Sequence, residues 1–161
     1  MASTFRSRTS WREKLEKAQE PELVTIPPRM VPRFGRGTML IPRPLDVDSL
    51  IRRVPREKLV TQSLIREKLA RESRADVTCP ITAGIFVRIA AEAAEEDARL
   101  GRKPISPYWR VVRDDGSLNE KFPGGPATQA RRLQKEGFRV APGQGSKPPR
   151  VSDFDKYLAR L

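Results

Sequence analysis

Between Pro107 and Gly137 the spacing of apolar residues and glycines fixes most of what the chain can become. Tyr108-Trp109-Arg110-Val111-Val112 is rich in aromatic and β-branched residues and reads as a β segment. It enters Asp114-Asp115-Gly116, a tight turn whose glycine can take φ > 0. In the following loop, Asn119 to Gly125, the pair Gly124-Gly125 lets a backbone or ligand approach closely. A helix then runs from about Ala127 to Glu136 and Gly137 stops it. Four pieces in so short a span must pack on one another and on what precedes them.

The charge balance says what such a unit meets. Lys and Arg outnumber Asp and Glu by 32 to 20, a formal net charge of +12, so a polyanion is the natural partner and nucleic acid the first candidate. The chain has no histidine and one cysteine, Cys79, which excludes an internal disulfide framework, a cysteine-cluster zinc site and Ser-His or Cys-His catalysis. No metal or cofactor is expected. No apolar run approaches the ~20 residues of a membrane helix and no signal-peptide core is present. A cytoplasmic monomer is expected, nucleoid-associated if bacterial.

Residues 1–9, with Arg6 and Arg8, read as a disordered basic lead. Ser10 with Glu13 forms a capping box for a short helix bearing Trp11, Leu15 and Ala18, ended by Pro21. The stretch from Pro27 to Pro44 carries Arg29, Arg33, Arg36 and Arg43 among its prolines and glycines. Its prolines argue against a helix, so an extended arm is expected, either a phosphate-tracking strap or a solvated linker. Asp46 or Asp48 would cap a helix to Arg53; Val54-Pro55 breaks it, and Lys58-Leu59-Val60 reads as β. Thr61 or Ser63 would cap the next helix, with Leu64, Ile65, Leu69 and Ala70 on one face. A longer helix begins near Pro80 with Thr78 as candidate N-cap, and Ile81, Ile85 and Ile89, beside Phe86, Ala90 and Ala93, form its expected apolar face. Gly84 inside it costs about 1 kcal/mol relative to alanine and suggests close approach of another backbone. After the Pro107–Gly137 unit come a short strand at Phe138–Val140, a linker over Ala141–Pro149 and a C-terminal helix turning Phe154, Leu158 and Leu161 inward.

The ordered series Val54-Pro55, Lys58-Leu59-Val60-Thr61, Pro107-x-x-Arg110-Val111, Asp115-Gly116, Gly124-Gly125 and Glu136-Gly137 resembles the DNA-binding domain of the 6-O-alkylguanine-DNA alkyltransferases over roughly Leu50 to Phe138. That resemblance implies a mainly α fold with short β segments, a winged helix-turn-helix domain, here with an extended basic N-terminal arm. The division expected is 1–44 arm, 45–140 winged-helix domain and 141–161 linker and helix. Tyr108 stands where the family has its alkyl-accepting cysteine and Trp109 where it has the activating histidine. A phenol of pKa ~10 is a poor nucleophile at neutral pH, and an indole cannot act as a base. Glu136, matching the glutamate that orients the histidine, is then free to accept the indole hydrogen. The family's arginine finger falls near Ile81, and the tyrosine after its Val-Thr pair is Gln62. Keeping the frame without the cysteine is the mark of the alkyltransferase-like proteins, which bind alkylated guanine and flag it for repair. A non-catalytic duplex-DNA sensor with a repair-protein partner is what the resemblance implies.

The residues assigned to a base pocket on this reading are Tyr108, Trp109, Arg110, Phe122, Pro123, Gly124, Gly125 and Glu136. Tyr108 reads toward pocket and Trp109 toward core, because neighbours on a strand face opposite sides. Arg110 either supports the loop or makes a structural ion pair. Contacts to DNA are assigned to Thr78, Thr82 and Ala83 at the helix start, Gln62 and Arg66 on the helix before it, and Arg29, Arg33 and Arg36 in the arm. Two alternatives stand beside this: a scaffold for RNA or a ribonucleoprotein on the same fold, and alkyl transfer to Cys79 at a helix N-terminus.

Overall fold

The computed structural model describes residues 9–161; Arg6, Arg8 and the basic lead lie outside them. The architecture is mainly helical with short strands. The central element is α5, Pro80–Arg99, against which α1 (Trp11–Leu15) and α3 (Pro44–Arg53) pack. Its buried face is Ala83, Val87, Ala90, Ala91 and Ala94, not the expected isoleucine row. Ile81 and Ile85 are 57% and 53% exposed. The helix is apolar nearly all round in its first turns, so periodicity alone could not choose a face. Alanines let α1 and α3 come close, which larger side chains would prevent.

Two acids of α5, Glu96 and Asp97, serve the contact with α1. Glu96 accepts hydrogen bonds from the backbone N–H groups of Trp11 and Arg12, both at 3.1 Å, satisfying donors that the start of α1 leaves free. Asp97 pairs with Arg12 and with Arg102. The Ser10 cap of α1 is formed as expected, its hydroxyl accepting from Glu13 N–H at 3.1 Å, although the helix already ends at Leu15.

The stretch expected as an extended arm is folded. Strand β1 (Glu22–Thr25) pairs antiparallel with β2 (Thr38–Ile41), and β2 pairs parallel with β4 (Val77–Thr78) through Met39↔Val77 and Leu40↔Thr78. Between them lies α2, Val31–Phe34, preceded by a 3-10 turn at Pro28–Met30. Prolines do not forbid these turns, because both have proline in the first turn, where no intrahelical N–H bond is lost. Ile26, Met39 and Cys79 form a small second core under this sheet. The described residues before Pro44 are therefore joined to the rest through the pairing of β2 with β4.

The remaining elements follow the expected order with local changes. Neither Asp46 nor Asp48 is the N-cap of α3: Arg43 holds that position, Asp46 inside the first turn accepts from Arg43 N–H at 3.2 Å, and Asp48 is buried against Arg52. Strand β3 is Val60–Thr61, and Thr61 caps α4 (Gln62–Glu72) by accepting from Leu64 N–H at 3.2 Å. Thr78 is not the cap of α5: its hydroxyl donates to the Arg66 carbonyl at 2.7 Å and Cys79 holds the cap position. Tyr108 to Arg110 forms a 3-10 turn and only Val111–Val112 is strand, β5, parallel to β3. Helix α6 is Gly125–Lys135. The expected linker is a hairpin of β6 (Val140–Ala141) and β7 (Arg150–Val151). The tail is a 3-10 turn, Phe154–Tyr157, not an α-helix, because Leu59 takes its backbone bonds: Leu59 N–H donates to the Tyr157 carbonyl and Ala159 N–H to the Leu59 carbonyl, both at 2.8 Å. Phe154, Leu158 and Leu161 still pack on the core. Among the described residues no helix is long and apolar enough to cross a membrane.

Candidate nucleic-acid interface

An open groove of about 520 Å3 lies where the first two turns of α5 meet the start of α4 and the loops after β5. Gln62 and Arg66 reach it from one face of α4, spaced i, i+4; Ile81, Ile85 and Arg88 reach it from α5, spaced i, i+4, i+7. Arg113, Asn119 and Lys121 close one wall, and Arg33 of α2 enters from the hairpin. Five cations thus face one acid, Asp114. That acid is bound to α4: it accepts from Ser63 N–H at 3.1 Å and from the Ser63 hydroxyl, where the helix start favours negative charge. Arg88, Arg113 and Lys121 have no ion pair among the described residues. The floor between these cations is apolar, made by Ile81 and Ile85. A methyl added at Gly84 would meet nothing within 4 Å, so no other part of the chain needs that glycine.

Just before β5, Tyr108 and Trp109 both turn inward, since successive side chains of a 3-10 turn lie about 120° apart and not on opposite faces. Tyr108 is 0% exposed and cannot stack a base from this position. It packs edge-on against Trp109 and Phe122, with centroids at 5.5 and 5.3 Å. Its hydroxyl donates to Glu95 at 2.6 Å, and Arg132 holds the same carboxylate at 2.8 and 2.9 Å. Burial first, and Glu95 second, push the phenol well above its ordinary value, so it is no nucleophile. Trp109 donates its indole N–H to Glu136 at 2.6 Å. Arg110 grips the same carboxylate at 2.9 and 3.0 Å and donates to the Val54 carbonyl at 2.6 Å. The arginine is therefore a structural ion pair and a tie to the Val54-Pro55 break. Burial opposes the charge on Glu136, but Arg110 and the indole outweigh it and hold the carboxyl below its ordinary range.

Of the residues assigned to DNA, Gln62, Arg66 and Arg33 meet in the groove. Ala83 is buried, Thr78 is spent on Arg66, and Thr82 donates to the Cys79 sulfur at 3.3 Å. Arg29 is exposed, and Arg36 lines a separate cavity beside Ile26. Of the loop residues, Phe122 is core, and Gly124 and Gly125 sit at φ 76° and 68°, opening α6. Pro123, between Phe122 and Gly124, is half-buried. Cys79 is 8% exposed in the small core, the setting of a structural thiol. Sequence reasoning missed Arg88 and Arg113, and picked out Lys121 only as part of the Asn119–Gly125 loop; the i, i+4, i+7 run from Ile81 to Arg88 could have signalled the first.

No protein-family model matches the chain, and no curated protein matches it by sequence. Its fold is that of two crystal structures. One is S. pombe Atl1 in complex with damaged DNA containing O6-carboxymethylguanine, at a TM-score of 0.50 and 18% identity. The other is S. pombe ATL in complex with DNA, at a TM-score of 0.52 and 19% identity. Each likeness covers 73% of this chain and 94% of the other.

Proposed function

We propose that this chain is a non-catalytic, duplex-DNA-binding protein of the alkyltransferase-like kind that senses alkylated guanine. The observation that carries the reading is the groove at the start of α5, where five cations surround two exposed isoleucines. In this reading α4, the β4 turn and α5 act as a helix-turn-helix docked by the first turns of α5. Arg33, Arg66, Arg88, Arg113 and Lys121 take phosphates, and Ile81 is the apolar wedge that opens a base step. Its fold-mate Atl1 holds DNA with a modified guanine, which supports a lesion as the preferred target. A guanine that pairs poorly costs less to extrude, so selectivity follows without chemistry on the base. An extruded base would lie between Gln62 and the Asn119–Lys121 loop. Alkyl transfer has no acceptor: the phenol is buried and protonated, and Cys79 is enclosed.

The test is fluorescence anisotropy on matched duplexes carrying guanine or 6-O-methylguanine. Five phosphate contacts give a log–log salt slope of about −4.5, so affinity should fall about 10²–10³-fold between about 50 and 200 mM salt. Arg66→Ala and Arg113→Ala should each reduce the slope by about one. Ile81→Ala should weaken the modified duplex more than the unmodified one. Absence of a salt slope refutes DNA binding; equal affinity for both duplexes refutes lesion sensing; displacement by structured RNA at lower concentration transfers the groove to RNA.

A further inference from the structure

A second groove, about 950 Å3, opens at the other end of α5. Its apolar floor is Ile105, Pro107 and the edge of Trp109, and Arg52, Arg102 and Lys103 stand on its rim. Ala98 marks it on α5, seventeen residues beyond Ile81, which at ~1.5 Å per residue separates the two sites by about 25 Å. No carboxylate lines it. The acids that balance its arginines are turned away from it: Asp48, beneath Arg52, is buried, and the buried Asp97 pairs with Arg102 and with Arg12, which Glu16 also holds. Lys103 has no carboxylate partner among the described residues.

We infer that this groove is a docking site for an acidic peptide segment of a partner protein, anchored by one aromatic or aliphatic side chain on Ile105 and Pro107. Charge complementarity selects an anionic occupant, and the shape of the floor selects a peptide over a nucleic acid. A base needs an open aromatic face on which to stack. Trp109 offers none: it is 9% exposed, and the Arg132 guanidinium already covers its ring at 4.8 Å. A concave apolar floor with a cationic rim instead matches a hydrophobic anchor flanked by carboxylates. Because the groove lies at the far end of α5, the peptide and a DNA duplex can be held together, and the protein then links the two.

Two labelled peptides test this by anisotropy on the full chain, first without DNA. One is a stretch of glutamates and aspartates with a central phenylalanine; the other replaces that phenylalanine with serine. Saturable binding of the first, several-fold tighter than the second, is expected. Lys103→Glu, at an exposed position remote from the DNA groove, should weaken it about fivefold or more while leaving duplex affinity unchanged. Ile105→Ala should remove the preference for phenylalanine while circular dichroism stays that of the parent. Absence of saturable binding, equal affinity for both peptides, or an unaltered affinity in Lys103→Glu overturns the inference. Competitive displacement of the peptide by duplex DNA also overturns it and gives the groove to nucleic acid.

Discussion

Replacing Gly84 by alanine separates what the fold needs from what the partner needs. The backbone at Gly84 is ordinary α-helix, and an added Cβ meets no atom within 4 Å, so alanine fits without strain. Helix propensity then favours the variant by about 0.8–1 kcal/mol. For a chain of this size that raises the melting temperature by about 2–4 °C. Yet Gly84 lies between Ile81 and Ile85 on the floor of the cationic groove, where a methyl would stand between the helix and a docked sugar-phosphate backbone. Affinity for duplex DNA should fall about tenfold, equivalent to about 1.4 kcal/mol. Thermal unfolding followed by circular dichroism and anisotropy titration at fixed salt read the two signs. A more stable variant with unchanged affinity would mean that DNA does not approach at Gly84. A less stable one would mean that the space above the helix is filled, contrary to the open volume at Gly84.

Two further outcomes follow from the buried network around Tyr108 and Trp109. Glu136→Gln leaves Arg110 half-paired in a buried site and should cost about 2–3 kcal/mol by urea denaturation. Because the folded state holds this carboxyl below its ordinary value, its stabilisation is full above the ordinary carboxylate range and is lost as pH falls through the depressed folded value; the variant should lose that acid dependence. Tyr108→Phe removes the bond to Glu95 and should cost about 1–2 kcal/mol. The raised phenol stabilises the fold below its ordinary pKa of ~10, and the contribution disappears as pH rises toward the folded value. Phenolate absorbance in a Tyr157→Phe background, which reports Tyr108 alone, should not appear until well above that ordinary value; titration at ~10 would refute the buried assignment.

What the sequence determined by itself is what short-range physics controls. The Ser10 and Thr61 caps, the Asp-Gly turn at Gly116, the stop at Gly137 and the order of helices between Leu50 and Phe138 each depend on residues a few positions apart. The indole of Trp109 donates to Glu136, the acceptor expected from the resemblance, and shares that carboxylate with Arg110. Tertiary structure alone decided the rest. The Pro/Arg stretch folded because Met39 and Leu40 found Val77 and Thr78, a parallel pairing that no local pattern announces. The face of α5 was chosen by the approach of α1 and α3, which take its alanines and leave Ile81 and Ile85 to solvent. Tyr108 went to the core because a 3-10 turn, not a strand, carries it, and Glu95 was there to receive its hydroxyl. A periodic pattern states which faces are possible; only the neighbours that come to cover one of them decide which face is buried and which is left for a partner.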